Sequence, residues 1–389
     1  MTEGWHYLDH AATSPMRPEA LAAMVRLLRD GVGNPTGAHA LARQARTALD
    51  EARAVLAEVV GCQPGEVVFT SGGTEADNLA VRGVLGAHGG DARCSAIEHH
   101  AVLHPVEAAG GATLAVDARG VVDLDALAAA LHPDVRLVSV MLVNNEVGTV
   151  QPLAEIAEVV RRVAPQALLH TDAAQALTWL DLREHARCAD LVTLASHKCG
   201  GPVGVGALVV RSGVELQPQQ LGGGQERERR SGTPDVAGAA GFAAAARAAD
   251  AGRPALVERC ARWRGELAAA IADGVAGARE SAVPNGSDRG HLVPGIVNVC
   301  LPEVHSEALL YLLEHDHRVL ASAASSCASG AQEPSHVLAA LGIDRATAGG
   351  SLRLSLGWST TAADVAAAAR GVPAAAQQLR AHARDGAPA

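Results

Sequence analysis

Leu194-Ala195-Ser196-His197-Lys198-Cys199-Gly200-Gly201-Pro202-Val203-Gly204-Val205-Gly206 sets a single lysine between two apolar runs. Residues 190–194 read as a strand and 205–210 as a second, and the glycine-rich turn between them puts Lys198 where the first strand ends. Lysine is rarely buried without a partner. A lone one between two core strands calls for a solvent exit or a chemical purpose.

Upstream, the same motif type recurs: an apolar run, a polar turn, then a helical pattern. Strands are expected at 67–70, 93–97, 113–116, 136–143, 167–171 and 190–194, with helices near 75–85, 101–109, 123–131 and 153–163 between them. Two helices, from about Pro18 and over 39–60, precede them, the first with Gly31 as its C-cap. Strand and helix in alternation predict an α/β fold with a large, doubly wound, mainly parallel sheet covered on both faces. After about Leu216 the rhythm changes. A polar loop, Gly222-Gly223-Gly224-Gln225-Glu226-Arg227-Glu228-Arg229-Arg230-Ser231-Gly232-Thr233-Pro234, leads to an alanine-rich helix over 236–250, and Gly252-Arg253-Pro254 reads as a hinge. A smaller α+β domain follows, with strands near 296–300 and 351–356, and the Ala/Arg/Pro tail after Gly371 reads as frayed. The expected division is a large domain over 16–251 and a small one made of 1–15 and 252–389.

At 389 residues and 48% apolar, the chain is long enough for two domains and a large core. The net charge of -10 is spread without a basic stripe, which argues against nucleic acid as a partner. No apolar run approaches the roughly 20 residues of a membrane-spanning helix, and Met1-Thr2-Glu3-Gly4-Trp5-His6 carries no secretion signal, so the expected location is cytoplasmic, with no membrane partner. Cys62, Cys94, Cys188, Cys199, Cys260, Cys300 and Cys327 are odd in number and scattered, which suggests neither a disulfide framework nor a metal site. With four Trp, two Tyr and two Phe, a flat ring bound here would stack on histidine.

Ligands of open parallel sheets bind beyond the carboxyl ends of the strands. The residues that follow the expected strands are Ser71-Gly72-Gly73-Thr74, Glu98-His99-His100, Asn144-Asn145-Glu146, Asp172-Ala173-Ala174-Gln175 and Ser196-His197-Lys198. The glycine turn at Gly73 and Thr74 opens a helix, which makes a phosphate site or a plain N-cap. Asp172 ends an apolar run, where a carboxylate needs a cation or serves as an N-cap; a protonated pyridine nitrogen is such a cation. Gln175 is within reach of a ring oxygen, and His99 or His100 of stacking and proton transfer. Together with Lys198 the set suits pyridoxal 5'-phosphate (PLP) held as a Schiff base. Cys327 lies in the small-residue run Ala321-Ser322-Ala323-Ala324-Ser325-Ser326-Cys327-Ala328-Ser329-Gly330-Ala331, a reactive thiol or an incidental surface one. Arg353, in Ser351-Leu352-Arg353-Leu354-Ser355-Leu356, is either a carboxylate clamp or a solvated sheet-face arginine.

These residues resemble the cysteine desulfurases of the NifS/IscS type, class V aminotransferases of the fold-type I PLP enzymes. The resemblance runs in order through Tyr7-Leu8-Asp9-His10-Ala11-Ala12-Thr13, Phe69-Thr70-Ser71-Gly72-Gly73-Thr74-Glu75, Glu98-His99-His100-Ala101, Asn144-Asn145-Glu146-Val147-Gly148, His197-Lys198, Gly222 to Arg227, Arg230-Ser231-Gly232-Thr233, Glu333-Pro334-Ser335 and Ser351 to Gly357. It implies fold type I and conversion of L-cysteine to L-alanine with a persulfide left on Cys327. It implies further that Lys198 bonds the cofactor, Asp172 pairs with the ring nitrogen, Gln175 contacts the ring hydroxyl, and His99 stacks and shuttles protons. Gly73, Thr74, Ser196, His197 and, from the other subunit of a homodimer, Thr233 would hold the phosphate. Asn145 and Arg353 would bind the substrate carboxylate, and an acceptor protein would take the sulfur for iron–sulfur clusters, thio-cofactors or tRNA thiolation. Two positions depart from the pattern. Many relatives have serine where Ala195 stands, with Ser196 one place later here, and glycine where Ala323 stands. Selenocysteine lyase or aminotransferase chemistry, and a PLP-fold module without turnover, are the alternatives; Cys327 argues against the first two, and the absence of a basic surface against the third.

Overall fold

A computed structural model describes residues 4–31, 33–284, 289–323 and 335–385. Cys327 lies outside them. The strands in chain order are β1 (His6–Tyr7), β2 (Val67–Thr70), β3 (Asp91–Ser95), β4 (Ala112–Leu114), β5 (Val135–Ser139), β6 (Leu168–Asp172), β7 (Leu191–Ala195), β8 (Gly206–Val210), β9 (Arg279–Glu280), β10 (Ile296–Cys300), β11 (Val319–Leu320) and β12 (Ser351–Ser355). Seven of them form one sheet in the order β2-β8-β7-β6-β5-β3-β4. Its ladders are parallel except at β8, which runs antiparallel to both β2 and β7. A glycine turn between β7 and β8 is too short for a parallel crossover, so the chain must double back there. The five strands β2, β7, β6, β5 and β3 therefore end at one edge.

The helices are α1 (Pro18–Asp30), α2 (Ala40–Val60), α3 (Gly73–His88), α4 (His100–Ala108), α5 (Leu124–Ala130), α6 (Leu153–Val163), α7 (Leu182–His185), α8 (Val236–Gly274), α9 (Ser306–His317), α10 (His336–Ala340), α11 (Arg345–Ala348) and α12 (Ala362–Asp385). Side chains alternate across a strand, so β2 and β8 feed two cores. Val67, Phe69 and Val209 join Leu56, Ile156 and Phe242 from α2, α6 and α8 on one face, whereas Val68, Leu208 and Val210 meet Leu79, Val84 and Val102 from α3 and α4 on the other. Each fully buried Leu or Phe side chain adds about 1.5–3 kcal/mol relative to an exposed one.

Two expectations fail here. The hinge at Gly252-Arg253-Pro254 is helical, because α8 runs unbroken through it. Pro254 removes one backbone hydrogen bond, but Arg253 pairs with Asp250 one turn earlier and Phe242, Leu256 and Cys260 are buried on the core side, so packing overrides the local signal. The frayed tail is likewise α12, anchored by buried Val365, Ala368, Val372 and Ala375. Its alanines hide an amphipathic spacing.

A separate antiparallel sheet, β12-β10-β9, carries Arg353, and β1 pairs in parallel with β11. The chain start thus lies against the later elements, and Asp9 forms a bridge to Ser355.

The loop after β8 is held by one buried ion pair. Arg53 on α2 bonds Glu226 through both terminal nitrogens at 2.7 Å, and its Nη1 also donates to the Val67 carbonyl at 2.6 Å. The Phe69 N–H donates to the same carboxylate at 2.8 Å. This grip holds Glu226, Arg227 and Glu228 at φ of 48°, 57° and 64°, a left-handed run that non-glycine residues avoid. Replacing Arg53 by Ala strands a buried carboxylate and is expected to lower unfolding free energy by about 3–5 kcal/mol, read from the urea midpoint; a loss under about 1 kcal/mol contradicts this role.

Candidate active site

The five strand ends converge on a cavity of about 220 Å³, lined by Gly73, Thr74, His99, Asn145, Asp172, Gln175, His197 and Lys198 among others. Asp172, the last residue of β6, is 6% exposed. Its Oδ1 accepts the Ala174 N–H at 2.8 Å, and no arginine or lysine among the described residues forms an ion pair with it. Burial pushes its pKa up, against the pull of the Ala174 N–H, His99 and Lys198. Two more buried carboxyls lie close. Glu98 accepts the Met141 N–H on Oε1 and leaves Oε2 without a partner, and Asp77 Oδ1 stands 3.7 Å from His170 Nε2. Burial first, and then the charge of Asp172, raise both. This end of the sheet is short of positive charge.

Lys198 follows β7 in a single helical turn. Its Nζ donates to the carbonyls of Ala11 at 2.6 Å and Ala12 at 2.9 Å. Burial, then Arg353, bring its pKa down from 10.5 to about 8, while Asp172 and Asp9 oppose the shift. The amine is therefore partly neutral near physiological pH, the form that is a nucleophile or base. It is also the only lysine in the chain, a signal the sequence reading passed over.

His99 caps α4: its Nδ1 accepts the Ala101 N–H at 3.1 Å. That bond assigns the proton of the neutral ring to Nε2, and burial, as the largest influence, lowers its pKa. His197 is pushed down to about 4 by burial and by Lys198, and its Nδ1 lies 3.1 Å from Thr13 Oγ1. Gln175 Nε2 donates to the Ala11 carbonyl at 2.7 Å, leaving Oε1 for a ligand. At the N-terminus of the sixteen-residue α3, Gly73 and Thr74 leave backbone N–H groups without helical partners. A Cβ on Gly73 would sit 3.4 Å from the Ala195 Cβ, in van der Waals contact with the end of β7.

Arg353 on β12 is reached from two sides. Nη1 donates to the Asn145 carbonyl at 3.0 Å and Nη2 to Asp9 Oδ1 at 2.9 Å. The segment Asp9 to Ser14 thus touches Lys198, Gln175, His197 and Arg353, and the Ser14 N–H donates to the His197 carbonyl at 2.9 Å. Sequence reasoning gave this segment no role of its own, because its contacts to Lys198 and Gln175 are backbone carbonyls, which leave no trace in residue type. Ser196 is buried and does not line the cavity; a Cβ on Gly201 would collide with its Oγ. Thr233 is exposed on the glycine-rich loop and does not line this chain's own cavity.

A sequence-family description, aminotransferase class-V, matches residues 6–367. The chain belongs to that family. Within it, the chain is 43% identical to an IscS-like cysteine desulfurase of Mycobacterium tuberculosis (strain ATCC 25618 / H37Rv), over 96% of this chain and 97% of that protein. It is 40% identical to a putative cysteine desulfurase IscS 1 of Bacillus subtilis (strain 168), over 96% and 99%. Among solved structures a NifS-like protein superposes with a TM-score of 0.87 at 30% identity, covering 95% of this chain and 98% of the other. The fold is that of fold-type I PLP enzymes, and class V aminotransferases and cysteine desulfurases use PLP.

The cavity fits that group. It offers an amine of lowered pKa, a buried carboxylate that lacks a cation, and free N–H groups at a helix start. These answer an aldehyde, a pyridine nitrogen and a phosphate respectively. In cofactor-free protein, an amine-acylating reagent should modify Lys198 at a rate that climbs with pH through a midpoint near 8, read from the mass of the Lys198 peptide. Asp172→Asn removes a charge that holds the ammonium form and should move that midpoint lower. A wild-type midpoint at the ordinary 10.5 contradicts the assigned environment.

Proposed function

We propose that the protein is a PLP-dependent cysteine desulfurase that converts L-cysteine to L-alanine and receives the sulfur on Cys327. The observation that carries the reading is that the chain's only lysine shares a cavity with an unpaired buried aspartate. The family membership narrows PLP chemistry to class V, and the relatives' names point to desulfuration.

Lys198 would hold the cofactor covalently, with Asp172 against its ring nitrogen, Gln175 toward its ring hydroxyl and His99 over its face. Gly73, Thr74 and His197 would take the phosphate. Ser196 Oγ, buried against Gly201 and outside the cavity lining, is not among them. When bound, the cofactor supplies an electron sink next to the substrate's Cα. The chain supplies the rest. Arg353 and Asn145 hold the substrate carboxylate, and Lys198 Nζ, released from the cofactor as a neutral amine, takes the Cα proton. The Ala11 and Ala12 carbonyls then stabilise the resulting ammonium. Cys327 Sγ, as thiolate, bonds the substrate sulfur while the substrate's Cβ–S bond breaks. The electron pair left on carbon ends in a C–H bond of alanine, and His99 Nε2 is placed to move protons. The balance is L-cysteine plus thiol to L-alanine plus persulfide.

A homodimer fits this reading. A larger cavity of about 690 Å³ opens beside the first, shares Thr74 and His99 with it, and is lined by Arg82, His100 and His104. Thr233, on a loop braced by the Arg53–Glu226 and Arg230–Glu75 pairs, is exposed as a residue serving a second subunit would be. A division into 16–251 around the large sheet, and 1–15 with 252–389, is supported by β1 pairing with β11, though α8 crosses that boundary as one rod. Among the described residues no helix is long and apolar enough to cross a membrane. On this reading the enzyme works in the cytoplasm and hands sulfur to a protein acceptor.

The test is a single turnover with L-cysteine. Cys327→Ser should keep the cofactor's visible absorbance and form no protein-bound persulfide; normal persulfide formation would remove Cys327 from the mechanism. Lys198→Ala should lose alanine production by at least about a thousandfold, since both the anchor and the base are gone.

A further inference from the structure

Arg353 is buried, with 8% of its side chain exposed, and its donors are unevenly used. Nη1 is taken by the Asn145 carbonyl and Nη2 by Asp9 Oδ1, whereas Nε is buried with no hydrogen-bond partner among the described residues. A buried N–H without a partner is costly and calls for an explanation. Its unused donors are therefore Nε and one hydrogen on each of Nη1 and Nη2. A guanidinium with donors to spare can take a second carboxylate.

Asp9 is not a surface accident. It lies next to buried Leu8, its backbone bridges to Ser355 two residues after Arg353, and the Tyr7 hydroxyl donates to its carbonyl at 3.1 Å. Its carboxylate, 19% exposed, is thus fixed at 2.9 Å from the guanidinium before any substrate arrives. Two carboxylates on one guanidinium repel each other, and in a partly buried site that repulsion is not screened by water.

Resting on the reading of Arg353 as the substrate-carboxylate clamp, we propose that Asp9 is a resident carboxylate that shares the Arg353 guanidinium with the incoming amino acid and weakens its grip. The benefit is kinetic. L-Cysteine and L-alanine carry the same α-carboxylate, so an unmoderated buried arginine would retain product as firmly as substrate. Asp9 makes the clamp modest in strength without touching the reacting atoms.

The test is binding of L-alanine to purified holoenzyme, followed by the change in cofactor absorbance, with alanine production measured alongside. Asp9→Asn keeps an acceptor oxygen and removes the charge; it should bind L-alanine about tenfold more tightly and lower KM more than it changes kcat. Asp9→Glu keeps the charge and should stay within about twofold of wild type. L-Alaninol, which lacks the carboxylate, should bind wild type and Asp9→Asn equally. Unchanged or weaker L-alanine binding in folded Asp9→Asn overturns the proposal. If Asp9→Asn does not fold, Asp9→Ser takes its place, and failure of both to fold makes Asp9 a counter-ion of the fold and also overturns it. Arg353→Ala separates the two readings. Undiminished L-alanine binding in that variant would remove Arg353 from the substrate site, whereas a loss there with no gain in Asp9→Asn would remove only the role given to Asp9.

Discussion

A carboxylate buried at the end of a central strand without a cation is the constraint from which the rest of the site follows. Asp172 would be protonated if it had only apolar neighbours. The Ala174 N–H, His99 and Lys198 all favour its charged form, yet none of them forms an ion pair with it. Glu98 and Asp77, in the same region, are pushed toward the neutral state by burial and partly by Asp172 itself. Burial pushes all three carboxyls toward the neutral form, and Asp172 alone among them has His99 and Lys198 pulling the other way. With PLP bound, a protonated ring nitrogen would be the cation that Asp172 lacks, and that proton would make the ring an electron sink.

The second requirement is that groups from distant parts of the chain meet within an ångström or so of the right place. Helix starts and strand ends fix Thr74, His99, Asp172 and Lys198 on one rigid sheet. Arg353 comes from another sheet, and the segment from Asp9 to Ser14 ties the two together by hydrogen bonds to Lys198, Gln175, His197 and Arg353. The glycine-rich loop is braced differently. Three consecutive left-handed residues are held by the Arg53–Glu226 pair, so backbone strain is offset by a buried charge-assisted bond.

Much of this was legible in the sequence because parallel sheets sort chemistry to one edge. Once strands were marked by apolar runs, their ends brought Gly73, Thr74, Asp172, Gln175 and Lys198 together; the resemblance picked Asn145, and His99 over His100, and all seven chosen residues line the cavity. What was not legible had physical causes. A proline with a preceding glycine reads as a break, yet the buried side of α8 carries it across Pro254. An alanine-rich tail reads as low complexity, although its spacing buries Val365, Ala368 and Val372 in α12. Carbonyls of Ala11 and Ala12 act on Lys198 through the backbone, which residue type does not encode. The side on which Ser196 falls depends on the turn after β7, and one residue of offset from Ala195 is enough to send it inward.

The most direct measurement is the site of cofactor attachment. Purified holoenzyme treated with borohydride and digested should yield one modified peptide, carrying one pyridoxyl phosphate on Lys198, the chain's only lysine. In Asp172→Asn the yield of that modified peptide at limiting cofactor should fall. Protein that takes up PLP but leaves the Lys198 peptide unmodified would contradict the account.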